Sequence, residues 1–123
     1  QGIPIWGTCA GLILLASKLS EGRPEPLQLM DTTVTRNGFG RQAQSFETEI
    51  LMEGVDGPPF HGIFIRAPRI DRTGPNVDIL ATLGDGSIVA AREANILATA
   101  FHPELTSDAR VHQYFVDIVA RKR

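Results

Sequence analysis

The sequence predicts a single mixed α/β domain whose strand-rich middle is partly antiparallel. Three observations carry that expectation. A short apolar run gives way through a glycine to a helix-like run. From Thr32 to Phe101, apolar and β-branched segments alternate with turn residues. The chain then closes on an amphipathic stripe, with Val111, Phe115, Ile118 and Val119 at i, i+4, i+7 and i+8. Residues 1–123 are enough for one ordinary domain and no more.

Taken in order, Ile3-Pro4-Ile5-Trp6 reads as a buried strand that ends at Gly7. Leu12 to Leu19 is long and unbroken enough for a helix. Gly22, Pro24 and Pro26 then break the chain into a loop. Thr32 to Thr35 is β-branched, and Phe46 to Leu51 alternates with period two, placing Phe46, Thr48 and Ile50 on one face. Gly54 to Pro59 is a turn-rich loop, and Ile63 to Ile65 is a short strand closed by Arg66-Ala67-Pro68. Val77 to Leu83 and Ile88 to Arg92 flank Asp85-Gly86, which reads as a hairpin with a type I′ turn. Ile96 to Phe101 is a further strand. The last helix spans Asp108 to Arg121, with Thr106, Ser107 or Asp108 available as its N-cap.

Composition narrows the function. With 42% hydrophobic and 21% charged residues, the chain builds a core rather than a disordered tail. Twelve basic against 14 acidic residues give a net charge of −2 and a pI near 5.9. That balance argues against nucleic acid or an anionic membrane as the main partner. The one cysteine excludes an intramolecular disulfide, and no Cys/His cluster has zinc-ligand spacing, so no metal is expected. No apolar run reaches the ~20 residues of a transmembrane helix. No basic-then-apolar leader opens the sequence as given, and a cytoplasmic setting is expected.

Chemistry concentrates at Gly7-Thr8-Cys9-Ala10-Gly11, between the first strand and the first helix. This is the nucleophile-elbow spacing, Gly-x-Ser-x-Gly, with Cys as the nucleophile. A strand that reverses into a helix within a few residues strains the turn, and its neighbours must be small. Cys9 would stand at a helix N-terminus, where the dipole favours the thiolate, and the Ala10 N–H would face a developing oxyanion. The other reading of Cys9 is a small buried core thiol.

A Cys nucleophile needs a base, and the base needs an orienting group. His102 and Glu104 stand two apart in Phe101-His102-Pro103-Glu104-Leu105, and extended backbone projects i and i+2 to one side. Pro103 pushes His102 toward that geometry. An unrelated surface Glu is the alternative. His61, in a Pro-rich loop, reads as a strand cap, and His112 as the edge of a solvated helix face. Neither has a carboxylate at a telling spacing. Arg36, in a glycine-punctuated basic loop, reads as a solvated turn. Arg66, at a strand end, points either into a site or toward a nearby acid.

Four ordered blocks carry a resemblance. They are Trp6 to Ala16, Arg36 to Gln42 with Ser45-Phe46-Glu47, Phe64-Ile65-Arg66-Ala67-Pro68, and Ala100 to Leu105. Together they resemble the class I, triad-type glutamine amidotransferases, and within that class the glutaminase subunits of pyridoxal 5′-phosphate synthase. The resemblance implies a flavodoxin-like three-layer fold, a mostly parallel sheet with an antiparallel strand excursion. It implies Cys9 as nucleophile, His102 as base and Glu104 as its orienting carboxylate. Glutamine contacts fall to Arg36, Ile65 and Arg66, and an oxyanion donor to Ala10. No cofactor is implied. The implied substrate is L-glutamine, and the implied partner is a synthase-subunit barrel that receives ammonia. Alternatives are a glutaminase of another amidotransferase, such as imidazole glycerol phosphate synthase, and a truncated piece that binds a partner without turnover. The resemblance also implies that an N-terminal segment with a Gly-Gly-Glu-Ser loop precedes these residues in relatives. On that expectation the 123 residues form the C-terminal part of a longer protein and are inactive alone.

Overall fold

The computed structural model describes residues 3–19, 27–35 and 45–119, with the backbone alone for Leu19, Ile118 and Val119. Strand β1 (Ile5–Thr8) leads through Cys9 into helix α1 (Ala10–Leu15), and β2 (Ala16–Leu19) follows at once. Then come β3 (Met30–Thr35), β4 (Ser45–Ile50), β5 (Phe60–Ile65), β6 (Arg69–Thr73), β7 (Asp78–Thr82), β8 (Ile88–Glu93) and β9 (Ile96–Thr99). A 3₁₀ turn at Pro103–Leu105 precedes α2 (Arg110–Tyr114), which continues as a π turn over Phe115–Val119.

The main sheet runs β1-β9-β8-β6-β3-β2, with β7 paired to β8 as well. β1/β9 and β2/β3 are parallel; β3/β6, β6/β8, β7/β8 and β8/β9 are antiparallel. The α/β class is as expected, but within the described residues the sheet is mixed rather than mostly parallel. The short links 83–87 and 94–95 leave room only for hairpins, and hairpins are antiparallel. The β6/β8 join is a single pair, Ile70 with Ile88. β4 and β5 form a separate two-stranded sheet.

Phe60, Phe64, Phe101, Leu12, Leu97 and Val89 are among the fully buried side chains. Phe64 stacks on Phe46 at 4.5 Å between centroids, and Phe60 and Phe64 each lie 5.7 Å from Phe101. This aromatic row seats the small sheet against the end of β9. Such pairs contribute about 0.5–1.5 kcal/mol each beyond their burial. The expected alternation of Phe46, Thr48 and Ile50 is present, with Glu47 and Glu49 on the exposed side.

Several expectations change. The first helix stops at Leu15 instead of Leu19, because the backbone after it is taken elsewhere. The carbonyls of Leu14, Leu15 and Ala16 accept from the N–H groups of Leu27, Leu29 and Gln28, and β2 pairs with β3. Sheet partners outweigh helix propensity here. The strand expected over Ile3–Trp6 lies at Ile5–Thr8, and β6 was not expected at all. The β7/β8 hairpin forms, but only Gly86 has positive φ, at 89°. Gly86 N–H donates to Leu83 O, so the loop is a turn closed by one left-handed residue rather than type I′. Before α2, the Asp108 carboxylate accepts from the Arg110 N–H at 3.1 Å, although Ala109 holds the cap position itself.

Space at the elbow is unequal. A Cβ at Gly7 would stand 2.6 Å from the Gly11 carbonyl carbon and 2.7 Å from Leu15 Cδ1, whereas one at Gly11 would meet nothing within 4 Å. Gly7→Ala should therefore destabilise the fold by roughly 1–3 kcal/mol. Gly11→Ala should be neutral or stabilising by about 0.5–1 kcal/mol. Thermal unfolding of the two variants checks this, and equal melting temperatures would contradict it.

Candidate active site

Cys9 occupies the turn between β1 and α1 with φ 49° and ψ −104°, the strained backbone expected of an elbow. Its N–H donates to Thr99 O at 2.9 Å, which ties the elbow to the end of β9. Two residues further along that same path the chain reaches Phe101 and then His102. The pairing of Thr8 with Thr99 thus delivers both residues to one edge of the sheet.

The Cys9 Sγ lies 2.9 Å from His102 Nε2, and His102 Nδ1 lies 2.7 Å from Glu104 Oε2. The three side chains form one continuous line. Glu104 does not reach His102 from extended backbone, as the two-residue spacing implied. It sits in the 3₁₀ turn Pro103–Leu105, which His102 enters with φ −107° and ψ 90°. The His102 N–H donates to Ile63 O at 2.8 Å, which anchors His102 to β5.

Burial sets the resting state of the thiol. Cys9 is only 8% exposed, and that desolvation, with the charge of Glu104 added, pushes its pKa up to about 12. The shift runs opposite to the thiolate stabilisation expected at a helix N-terminus, and α1 itself has only six residues. The neutral thiol donates to Ala100 O at 3.1 Å, with the imidazole as its second neighbour.

Thr8, Cys9, Ala10, Ile13, Ile65, Arg66 and His102 line an open cleft of about 470 Å³. Cys9, His102, Ala10, Ile65 and Arg66 therefore meet in one place, with Glu104 behind the imidazole. Ala10 opens α1, so its N–H has no acceptor within the helix. Arg66 holds positive φ, 47°, at the end of β5. Arg36 lies outside the described residues. Thr8 and Ile13 were not singled out in the sequence, though they stand one residue before and four after Cys9. A concavity of about 500 Å³ lined by Glu53, Asp78, Arg92 and Tyr114 holds none of these groups. Among the described residues, no group of three His, Cys, Asp or Glu side chains could hold a metal ion. No described helix is long and apolar enough to cross a membrane.

His61 departs from its expected role. It lies within β5, not in a loop, and its Nδ1 and Nε2 stand 2.9 and 2.6 Å from Glu49 and Glu47 on β4. Cross-strand register, invisible to sequence spacing, supplies those partners. The hydrogen bonds to Glu49 and then Glu47 raise the His61 pKa. A raised folded-state pKa stabilises below the unfolded value of about 6.5, and that contribution is lost as pH rises through the folded value. The melting-temperature gap between the wild type and His61→Asn should be wider near pH ~5.5 than near pH ~8.5. A gap independent of pH would contradict the assignment.

Residues 1–121 match the SNO glutamine amidotransferase family. The pyridoxal 5′-phosphate synthase subunit PdxT of Herpetosiphon aurantiacus is 57% identical over 121 residues, which cover 96% of this chain and 64% of that protein. The PdxT subunit of Salinispora arenicola is 50% identical over 125 residues, covering 97% of this chain and 62% of that protein. A solved structure described as a glutamine amidotransferase superposes with a TM-score of 0.87 at 44% identity, over 96% of this chain and 61% of that one. The chain thus spans less than two thirds of the length of these relatives. With the match running through all the described elements, the chain belongs to the SNO glutamine amidotransferase family.

Proposed function

We propose that the protein hydrolyses L-glutamine to glutamate and ammonia, with Cys9 as nucleophile, His102 as general base and acid, and Glu104 orienting the imidazole. One observation carries this reading: the unbroken line of Cys9, His102 and Glu104, with links of 2.9 and 2.7 Å, at the wall of an open cleft. Membership of a glutamine amidotransferase family and likeness to a solved glutamine amidotransferase support the same substrate class.

The steps follow from the groups present. Glutamine enters the cleft between the elbow and the end of β5, against Ile65 and Arg66; the resemblance adds Arg36 to these contacts. His102 Nε2 takes the Cys9 proton, and Sγ attacks the side-chain amide carbon. The tetrahedral oxyanion faces the Ala10 N–H. On collapse the C–N bond breaks, and the proton held by His102 leaves with ammonia. His102 then activates a water that cleaves the thioester, releasing glutamate and restoring the thiol. Glu104 stabilises the imidazolium in both halves and holds the tautomer that presents Nε2 to sulfur. No step in this scheme requires a cofactor.

The ammonia is proposed to pass to the synthase subunit of pyridoxal 5′-phosphate synthase, the complex that the relatives' names give. The cytoplasm, which keeps a lone thiol reduced, is the proposed setting.

Assaying ammonia release by the chain joined to the N-terminal segment that the resemblance implies, with the synthase subunit present, tests the reading. Cys9→Ala should abolish it, since removing the nucleophile of a comparable triad costs on the order of 10⁶ in kcat. Substantial ammonia production by the pure variant would overturn the assignment. A second measurement addresses the base. Glu104→Gln should cost less than His102→Asn, and the double variant should be no worse than roughly the larger single loss, because the groups act as one unit. Additive losses would make Glu104 a mere neighbour.

A further inference from the structure

We propose that Thr99, held by Trp6, is a positioning residue that sets the orientation of His102 toward Cys9. Thr99 is wholly buried, with 0% exposure, at the end of β9 between apolar neighbours. A buried hydroxyl costs stability unless it is bonded on both its donor and acceptor sides. Here it is. The Trp6 indole Nε1–H donates to Thr99 Oγ1 at 3.1 Å, and Thr99 Oγ1–H faces Phe101 O at 3.3 Å. The second bond is long, so its value is directional rather than energetic.

The acceptor explains the direction. Phe101 O and the His102 N–H belong to one peptide unit. Its N–H donates to Ile63 O at 2.8 Å, while its carbonyl faces the Thr99 hydroxyl. The plane from which His102 departs is therefore held at both ends. Thr99 also accepts the Cys9 N–H through its own carbonyl at 2.9 Å. One residue thus grips the elbow with its main chain and the base-bearing peptide with its side chain.

Trp6 closes the arrangement. It lies on β1, three residues before Cys9, and its ring packs at 5.0 Å against His112 and 5.4 Å against Phe115. Those contacts fix the indole, the indole fixes the hydroxyl rotor, and the rotor fixes the peptide. A misplacement of about 1 Å at a reacting pair can cost roughly 10²-fold in rate. The 2.9 Å Cys9–His102 separation has no slack to absorb that shift.

The kinetic part of the proposal rests on the glutaminase reading; the geometric part does not. The test uses Thr99→Val, which keeps shape and deletes the hydroxyl, Thr99→Ser, which restores it, and Trp6→Phe. Each is measured for kcat and KM on glutamine in the chain joined to the N-terminal segment that the resemblance implies, with the synthase subunit present, and for the pH dependence of Cys9 alkylation by iodoacetamide, with His102→Asn as the reference for an uncoupled thiol. Thr99→Val should lower kcat about ten- to a hundredfold with KM within about twofold, and should shift the alkylation profile toward that of His102→Asn. Thr99→Ser should recover kcat to within roughly threefold of wild type, a recovery that a purely structural role would not require. Should Thr99→Val fail to fold, Trp6→Phe carries the test, with a smaller loss in the same direction. Wild-type kcat and alkylation in the folded Val or Phe variant would overturn the proposal, as would equal losses in the Val and Ser variants. Because alkylation reads the Cys9–His102 pair directly, it decides the proposal even if Cys9→Ala shows that glutamine is not hydrolysed here.

Discussion

The parallel ladder between β1 and β9 is the constraint on which the site depends. Residues more than ninety positions apart become neighbours because Ile5, Trp6, Gly7 and Thr8 sit opposite Ile96, Leu97, Ala98 and Thr99. Parallel strands emerge on the same edge of a sheet, so the turn after β1 and the turn after β9 are forced together. A shift of one residue in that register would send Trp6 to the opposite face and separate its indole from Thr99. The glycine at position 7 keeps the ladder tight, since its missing Cβ is what lets α1 fold back over β1.

The site was largely legible in the sequence because its parts are local and its chemistry uses scarce residue types. Gly7 to Gly11 contains both the reversal and the proposed nucleophile, and His102-Pro103-Glu104 contains both the proposed base and the carboxylate that meets it. What was not legible depended on burial. The thiol's raised pKa comes from desolvation first and the Glu104 charge second, and no spacing reveals the burial. The contribution of Thr99 was equally hidden, because a threonine in an apolar run looks like an ordinary β-branched strand residue. His61 gained its carboxylates only through the pairing of β4 with β5.

The fold was legible where side-chain period and turn chemistry agreed, as in β4, β7, β8 and β9. It failed where backbone partners decided the outcome. Ala16 to Leu19 follows the helix with no glycine or proline between, yet its carbonyls and amides are claimed by residues 27–35. Arg69 to Thr73 carries three charged side chains in five positions and looks like a loop. It becomes a strand because β3 and β8 flank it on both sides. The mixed character of the sheet has the same origin, since strand direction follows link length rather than composition.

The single pair between Ile70 and Ile88 divides the main sheet mechanically. On one side stand β1, β9, β8 and β7, which carry Cys9 and lead to His102; on the other stand β6, β3 and β2. Across that one-rung seam the two groups share a single buried core, with Leu12, Val34, Ile70, Val89 and Leu97 among its members, and the Asp31 N–H donates to Glu93 Oε1 at 2.9 Å. What couples the elbow to the far strands is therefore side-chain packing more than the backbone ladder.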